Sequence, residues 1–326
     1  MQLRGWSAGQ RRQRHRELVA AHVPLTILDA AEATRRGAVC LDGSPPALYF
    51  RPASTAAANS SWVIFLKGGA WCTSPSDCAG RSRSNLGSST KAPPSYSMSG
   101  PLDPASSKNP TFAGFNHVIL NYCDGASFAG DAAEALVVPG AKGGNATTLY
   151  FRGQRVLDYS LDWLVEHKGL GRATDILFGG GSAGGLATFL RADATHQWLL
   201  QRQVPVTRFR AMPVSGFFLD HADDNGQHAF AASMNDTYSL HNCSGGVPAA
   251  CTAALPPSEH WRCFMANYSY AASITPFFLL QSFAHSTSTS STQSCVGWGG
   301  GRPAVSTQMP NSMAARRSQR ARRRRW

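Results

Sequence analysis

Residues 175–190 read Asp-Ile-Leu-Phe-Gly-Gly-Gly-Ser-Ala-Gly-Gly-Leu-Ala-Thr-Phe-Leu. The apolar run Asp175-Ile-Leu-Phe178 leads into Gly180-Gly181-Ser182-Ala183-Gly184. An amphipathic stretch then runs from Ser182 to Leu200, with Leu186, Phe189, Leu190 and Ala194 on one face. Strand, tight glycine turn and helix, in that order, are the setting that a G-x-S-x-G nucleophile elbow requires. The reason is steric. The serine stands on a strained turn, and its neighbours must be small so that backbone can pass close. Its Oγ then projects above the sheet edge, while the new helix aims its N-terminus and the N–H of Ala183 at a developing oxyanion. Other readings of the glycines fit less well. A phosphate loop needs Lys followed by Ser or Thr after its last glycine, where this chain has Leu186-Ala187. A dinucleotide fingerprint needs an acid about 20 residues on, at a second strand end, and none stands there.

Four further apolar runs read as buried strands: Trp62–Leu66, His117–Tyr122, Phe209–Val214 and Thr275–Leu280. Most are continuous rather than alternating, as parallel strands covered on both faces are. Gln154–His167 reads as a helix, with Val156, Leu157, Tyr159, Leu161, Trp163 and Leu164 in an amphipathic pattern. The alternation implies an α/β fold, α/β-hydrolase-like, with a mostly parallel sheet and helices on both faces. Residues 73–111, rich in Ser, Pro, Gly and Lys, read as a long surface excursion. Residues 220–273 carry three cysteines and three glycosylation sequons and read as a stapled cap or insertion over the sheet.

A second glycine cluster, Leu66-Lys-Gly-Gly-Ala-Trp-Cys72, follows the strand at Trp62. Such a turn after an early strand supplies the other oxyanion N–H in hydrolases of this type, which nominates Gly69 and Ala70 beside Ala183. A tight turn and nothing more is the plain alternative.

The bulk numbers narrow the rest. The 326 residues, 43% hydrophobic and only 15% charged, are enough for one large domain. The net charge of +12 suggests nucleic acid until it is located. Thirteen of the 31 basic residues are arginines within 1–16 and 302–326, leaving 18 against 19 acids, so the centre is near neutral. The basicity belongs to two tails, and no nucleic-acid partner is expected of the core. Eight widely spread cysteines, none in a CxxC pair, argue for disulfides in an oxidising compartment and against a zinc site. Sequons at Asn59, Asn145, Asn235, Asn242 and Asn267 agree. The basic, polar stretch 1–16 carries no apolar leader, so the expectation is that the natural start differs from the one shown. No segment approaches the roughly 18 uninterrupted apolar residues of a membrane helix. No metal or cofactor is expected.

With these pieces placed, the sequence resembles the pectin acetylesterase family, which includes the Notum-type carboxylesterases. The likeness spans about residues 23–283. It rests on Gly37-Ala-Val-Cys-Leu-Asp-Gly-Ser-Pro-Pro46, Leu66–Cys72, Asn109-Pro110 with Phe112 and Asn116, Tyr122-Cys-Asp-Gly-Ala-Ser-Phe-Ala-Gly-Asp131, Phe151-Arg-Gly153, the elbow, and Ser215-Gly-Phe-Phe-Leu-Asp220. The resemblance implies secreted or cell-wall enzymes that cleave carboxylic esters, with acetylated pectin as the typical substrate. Ser182 would be the nucleophile, with Gly69, Ala70 and Ala183 around the oxyanion. Trp71, Asp124 and Asp131 fall in family motifs and are candidate pocket residues, the two acids more as holders of loops. Family members usually have Cys where this chain has Gly181.

The resemblance also exposes a departure. The family places its triad acid just after the strand matching Thr275–Leu280, and its histidine further on. The acid position falls on His285 here, and no later histidine exists in the sequence. A serine without its base is hardly nucleophilic at neutral pH. Asp220, Asp223 and Asp224 are substitute acids to consider, and His221, His228, His241, His260 and His285 substitute bases, though each has a plainer structural reading. Three units are expected: a basic tail 1–22, an esterase domain 23–283 and a low-complexity Ser/Thr, Gly and Arg tail 284–326. The favoured expectation is an esterase with an altered or truncated C-terminal part. The alternatives are an inactive relative that binds carbohydrate or acylated ligand, and a basic-tail interaction protein.

Overall fold

The computed structural model describes residues 22–140, 144–222 and 225–281. The expected tails therefore lie outside the described residues, apart from His22. So do Asp223, Asp224, His285 and Cys295.

The elbow strand, β8 (Asp175–Gly181), lies between β3 (Ser61–Leu66) and β9 (Arg208–Val214) and is parallel to both. β5 (Asn116–Leu120) pairs parallel on the other side of β3. Beyond it the direction reverses: β2 (Ala47–Arg51) is antiparallel to β5, β1 (His22–Ile27) antiparallel to β2, and the short β4 (Ser95–Ser97) antiparallel to β1. The sheet order is β4-β1-β2-β5-β3-β8-β9. At the far side, residues 276–280 run parallel to β9 through bridges at Phe277 and Leu280. The expected strand at Thr275–Leu280 is thus in place as a bridged segment rather than a full strand. Asp193 anchors its start by accepting from the N–H groups of Ile274 and Thr275 at 2.9 and 2.8 Å. Phe278 on this edge is 64% exposed.

Alternation along β3 shows why a continuous apolar run was needed. Trp62, Ile64 and Leu66 join the cluster that includes Val156, Leu157, Leu161 and Leu164 of α3 (Gly153–Lys168) and Ala33 of α1 (Ala30–Arg36). Val63, between them, joins Tyr49, Ile119, Met98 and Leu102 on the opposite face. Both faces of β3 are covered by core, so its apolar residues run on without alternating with polar ones. The region 73–111 is therefore more than a surface excursion. It contains α2 (Pro75–Arg81), capped by the Ser74 side chain, and β4, and it supplies Met98 and Leu102 to the core. Ser, Pro and Gly hid this because they also serve as caps and helix starts.

The helix after the elbow, α4 (Ala183–Gln201), is buried without a break from Ala183 to Ala192, whereas Ala194, expected on its apolar face, is exposed. Its outer side is covered by the cap. That unit comprises α5 (Ala229–Leu240), α6 (Ala249–Thr252), a 3-10 stretch Pro257–Phe264 and α7 (Ala266–Ala272), stapled by Cys251–Cys263. Leu186, Phe189 and Leu190 share a core with Met234, Phe264 and Met265 of that cap. A small two-stranded ribbon, β6 (Leu136–Val138) with β7 (Thr147–Leu149), stands apart from the main sheet.

Two further disulfides are present, Cys40–Cys123 and Cys72–Cys78, and Cys243 is buried outside any of the three. Cys40–Cys123 closes 83 residues and Cys251–Cys263 only 12. Replacing the first pair by alanine is expected to cost about 2–5 kcal/mol in denaturant unfolding, and the second roughly 1–2 kcal/mol less. Equal losses would mean that chain entropy is not what these bridges contribute.

Candidate active site

Gly184 and Gly68 bring backbone against backbone at the elbow. A Cβ on Gly184 would stand 2.0 Å from the carbonyl oxygen of Leu66, and one on Gly68 would stand 2.1 Å from that of Gly181. Glycine is demanded by contact here, not by torsion. At Gly181 a Cβ would meet only the Phe65 ring, at 3.6 Å, so that position accepts a side chain. Ser182 itself has φ 55° and ψ −122°, outside the comfortable regions for an L-residue. Its N–H donates to Val214 O at 2.9 Å, and its carbonyl accepts from Leu186 N at 3.0 Å. Ala70, Ser127, Phe128 and Ser215 also have positive φ. Each such residue costs about 1–3 kcal/mol and persists only where its surroundings over-determine it.

Those surroundings can be named. Arg81, at the end of α2, donates from Nη2 to Gly69 O at 2.7 Å and to Ala70 O at 3.3 Å, and from Nε to Leu86 O at 3.1 Å. The Tyr122 hydroxyl donates to Ala70 O at 2.8 Å and accepts from Ser127 N at 3.0 Å. In a trans peptide the N–H points opposite the carbonyl. With the carbonyls of Gly69 and Ala70 held by Arg81 and Tyr122, the N–H groups of Ala70 and Trp71 face the other way. Ser127 completes the frame: its Oγ accepts from Trp71 Nε1 and donates to Ala183 O, both at 2.8 Å. The loop after β3 and the first turn of α4 are thus joined through one hydroxyl. Trp71 packs edge-on against Phe218 and Phe230, with ring centres at 5.0 and 5.8 Å.

Asp124 does not line an open pocket. It is 1% exposed, and its carboxylate accepts from the N–H groups of Ala126 and Phe128 at 3.1 and 2.9 Å, shaping the loop that carries Ser127. Burial raises its pKa to about 6 against those two hydrogen bonds. Asp131 is paired with Arg155 at 2.5 Å, and its N–H donates to His241 O. Its contacts tie α3 to the end of α5 rather than meeting the elbow.

The histidines are occupied elsewhere. The His221 ring bonds the adjacent Ala222 carbonyl, and His260 bonds Leu255 O. His228 Nδ1 lies 2.9 Å from Asp220, but that carboxylate also accepts from Arg262 at 2.9 Å and so links the cap to the segment after β9. His241 is buried, with Nε2 3.0 Å from Cys72 O, and burial lowers its pKa to about 4. It lies beside Cys72 and Cys78, whose sulfurs are joined to each other, leaving no thiolate for a metal. Among the described residues none bonds Ser182 Oγ. Sequence reasoning missed Arg81, Tyr122 and Ser127. Tyr122 and Ser127 stood within a quoted motif, but nothing local said that their hydroxyls cross to other loops.

Strand, strained serine turn, buried helix and a second glycine loop held at the serine define an α/β-hydrolase-type site. The comparisons narrow that class. The family model for pectinacetylesterase matches residues 17–297, and the chain belongs to that family. Pectin acetylesterase 11 of Arabidopsis thaliana is 34% identical over 262 residues, covering 80% of this chain and 62% of that protein. The palmitoleoyl-protein carboxylesterase NOTUM of Schmidtea mediterranea is 28% identical over 252 residues, covering 74% of this chain and 45% of that protein. The solved structure of the Wnt deacylase Notum from Drosophila superposes with a TM-score of 0.67 at 26% identity, covering 79% of this chain and 71% of that one. The chain spans about three fifths or less of the length of these curated relatives.

The buried titratable groups make stability depend on pH. Burial lowers both His117 and His241 to about 4, so their stabilising contribution is complete above the ordinary histidine value of 6.5 and is lost as pH falls through 4. Asp124, raised to about 6, acts oppositely: its contribution is complete below the ordinary value of 3.8 and is lost as pH rises through 6. Two groups outweigh one, so the thermal midpoint is expected to fall between pH 7 and 4.5. Asp124→Asn should steepen that fall in a calorimetric pH series. A midpoint that rises on acidification would contradict the assignment.

Proposed function

We propose that this chain is a carboxylic-ester hydrolase in which Ser182 forms an acyl-enzyme. The single observation behind the reading is the strained elbow at Ser182, set against a loop whose carbonyls at Gly69 and Ala70 are held by Arg81 and Tyr122. In the proposed reaction Ser182 Oγ attacks the ester carbonyl carbon and loses its proton to a base. The tetrahedral oxyanion is met by N–H groups of Ala70, Trp71 and Ala183 around Gly69. The alcohol leaves with a proton, and water then cleaves the acyl-serine. The relatives' names make an O-acetylated, pectin-like polysaccharide the preferred substrate class. The family's Notum members make a longer acyl ester the other possibility.

Three disulfides support a working place outside the reducing cytosol, and exposed sequon asparagines Asn59, Asn145 and Asn242 support a glycosylated, extracellular or cell-wall protein. No helix among the described residues is long and apolar enough to cross a membrane.

One observation favours a second reading: no described side chain bonds Ser182 Oγ. In that reading the acid and base are lacking, and the same site belongs to an inactive relative that binds carbohydrate or acylated ligand. Hydrolysis of a chromogenic acetyl ester separates the two. The first reading expects turnover that Ser182→Ala lowers by about 10⁴-fold or more. No turnover by either protein would favour the second.

Arg81→Ala is expected to lower kcat by about 10- to 100-fold with KM little changed, because it frees the carbonyls that orient the oxyanion donors. Arg81→Lys should recover part of the rate, since a lysine reaches the same carbonyls with one donor group. A change in KM alone would show that Arg81 acts on binding instead.

A further inference from the structure

A concave surface lies apart from the elbow. It is an open groove of about 610 Å³ lined by Asp42, Ser82, Arg83, Ser88, Lys91 and the ribbon residues 146–148. That volume suits a short oligosaccharide. One wall is the segment after α2 and the other is the β6–β7 ribbon. Arg83 spans them, donating from Nη2 to Thr147 Oγ1 at 3.1 Å. The wall is braced from behind: Asp42 N donates to Gly87 O at 3.2 Å, and Ser89 N to Ser44 Oγ at 3.0 Å.

The lining chemistry is selective. Neither Arg83 nor Lys91 forms an ion pair among the described residues, although both are exposed and share one concave surface. The one acid, Asp42, has its Oδ1 committed to the Ser44 N–H and hydroxyl. Ser82, Ser88, Thr147 and Thr148 supply hydroxyls, and no aromatic or long aliphatic side chain lines the groove, so an acyl chain would find nothing apolar there. Two unpaired cations among hydroxyls match a sugar that carries carboxylates, with the guanidinium able to take one carboxylate by two hydrogen bonds. The groove is also coupled to the proposed active site. Leu86, in the same wall segment, packs on Gly69, and Arg81 just before it holds the carbonyls of Gly69 and Ala70.

We infer that this groove is a subsite for a uronate-bearing saccharide, with Arg83 and Lys91 as its carboxylate contacts, positioned to hold a polymer whose ester reaches Ser182. This rests on the hydrolase reading for its purpose but not for its binding chemistry. The test uses the full chain with Ser182→Ala, which prevents turnover, and Asn145→Gln, which keeps a glycan from the rim. Calorimetric titration with tri-galacturonate is expected to show binding that weakens with added salt. Replacing both Arg83 and Lys91 by Ser should weaken it at least tenfold, with the thermal midpoint unchanged within about 2 °C as the control for folding. A neutral galactose trimer should bind at least tenfold more weakly than the uronate. Absence of uronate binding, an undiminished double variant, or inorganic phosphate binding as tightly as the uronate would overturn the subsite. Uronate binding in a chain that cleaves no ester, with Ser182 intact, would leave the subsite standing and remove the hydrolase reading. Ester cleavage without uronate binding would do the reverse.

Discussion

The contact of backbone with backbone at Gly184 and Gly68 is the constraint on which the rest depends. Leu66 O lies where a side chain on residue 184 would begin, and Gly181 O where one on residue 68 would. Because nothing intervenes, β3 and its loop can lie against the turn that carries Ser182. A single methyl at Gly184 would have to push β3 or α4 away, and well-packed interiors do not yield cheaply. The parallel pairing of β3 with β8, from Ser61↔Asp175 to Leu66↔Gly180, fixes the two loops at the same level. Both loops leave from the carboxyl ends of adjacent strands, where open α/β sheets put their ligands.

Around that contact, hydrogen bonds hold conformations that the chain would not choose locally. Ala70, Ser127, Phe128 and Ser182 all have positive φ. Arg81, Tyr122 and Ser127 bind the carbonyls and N–H groups that such turns leave exposed. The Cys72–Cys78 bridge and buried His241 hold α2 against the loop before it, and Arg81 reaches back from the helix's last residue. The strain at the site is therefore carried by a frame drawn from four separate stretches. The cap adds an apolar lid over α4, tied to the segment after β9 by Asp220 and Arg262.

Much of this was legible in the sequence. The strand–turn–helix at 175–190, the strand at Trp62 and the helix at Gln154 each carry a periodicity or a glycine pattern that local physics reads directly. The antiparallel flank β1, β2 and β4 was not read, because short strands among Ser and Pro carry little periodicity. The cap altered one reading of α4: a helix covered on its sheet side and its cap side is buried all round at its start, and a single apolar stripe no longer describes it.

By itself the sequence determined the fold class, the serine and the two glycine loops, since sterics at a tight turn admit few residue types and leave a mark in a handful of neighbours. The tertiary structure alone decided that Asp124 shapes a loop, that Asp131 pairs with Arg155, that His228 and Asp220 brace the cap, and that Arg81 and Ser127 frame the site. Each of those roles is a hydrogen bond or ion pair, most of them between residues distant in the chain. A polar side chain advertises its chemistry in sequence, but its partner is chosen only when the sheet and the loops bring the two within 3 Å.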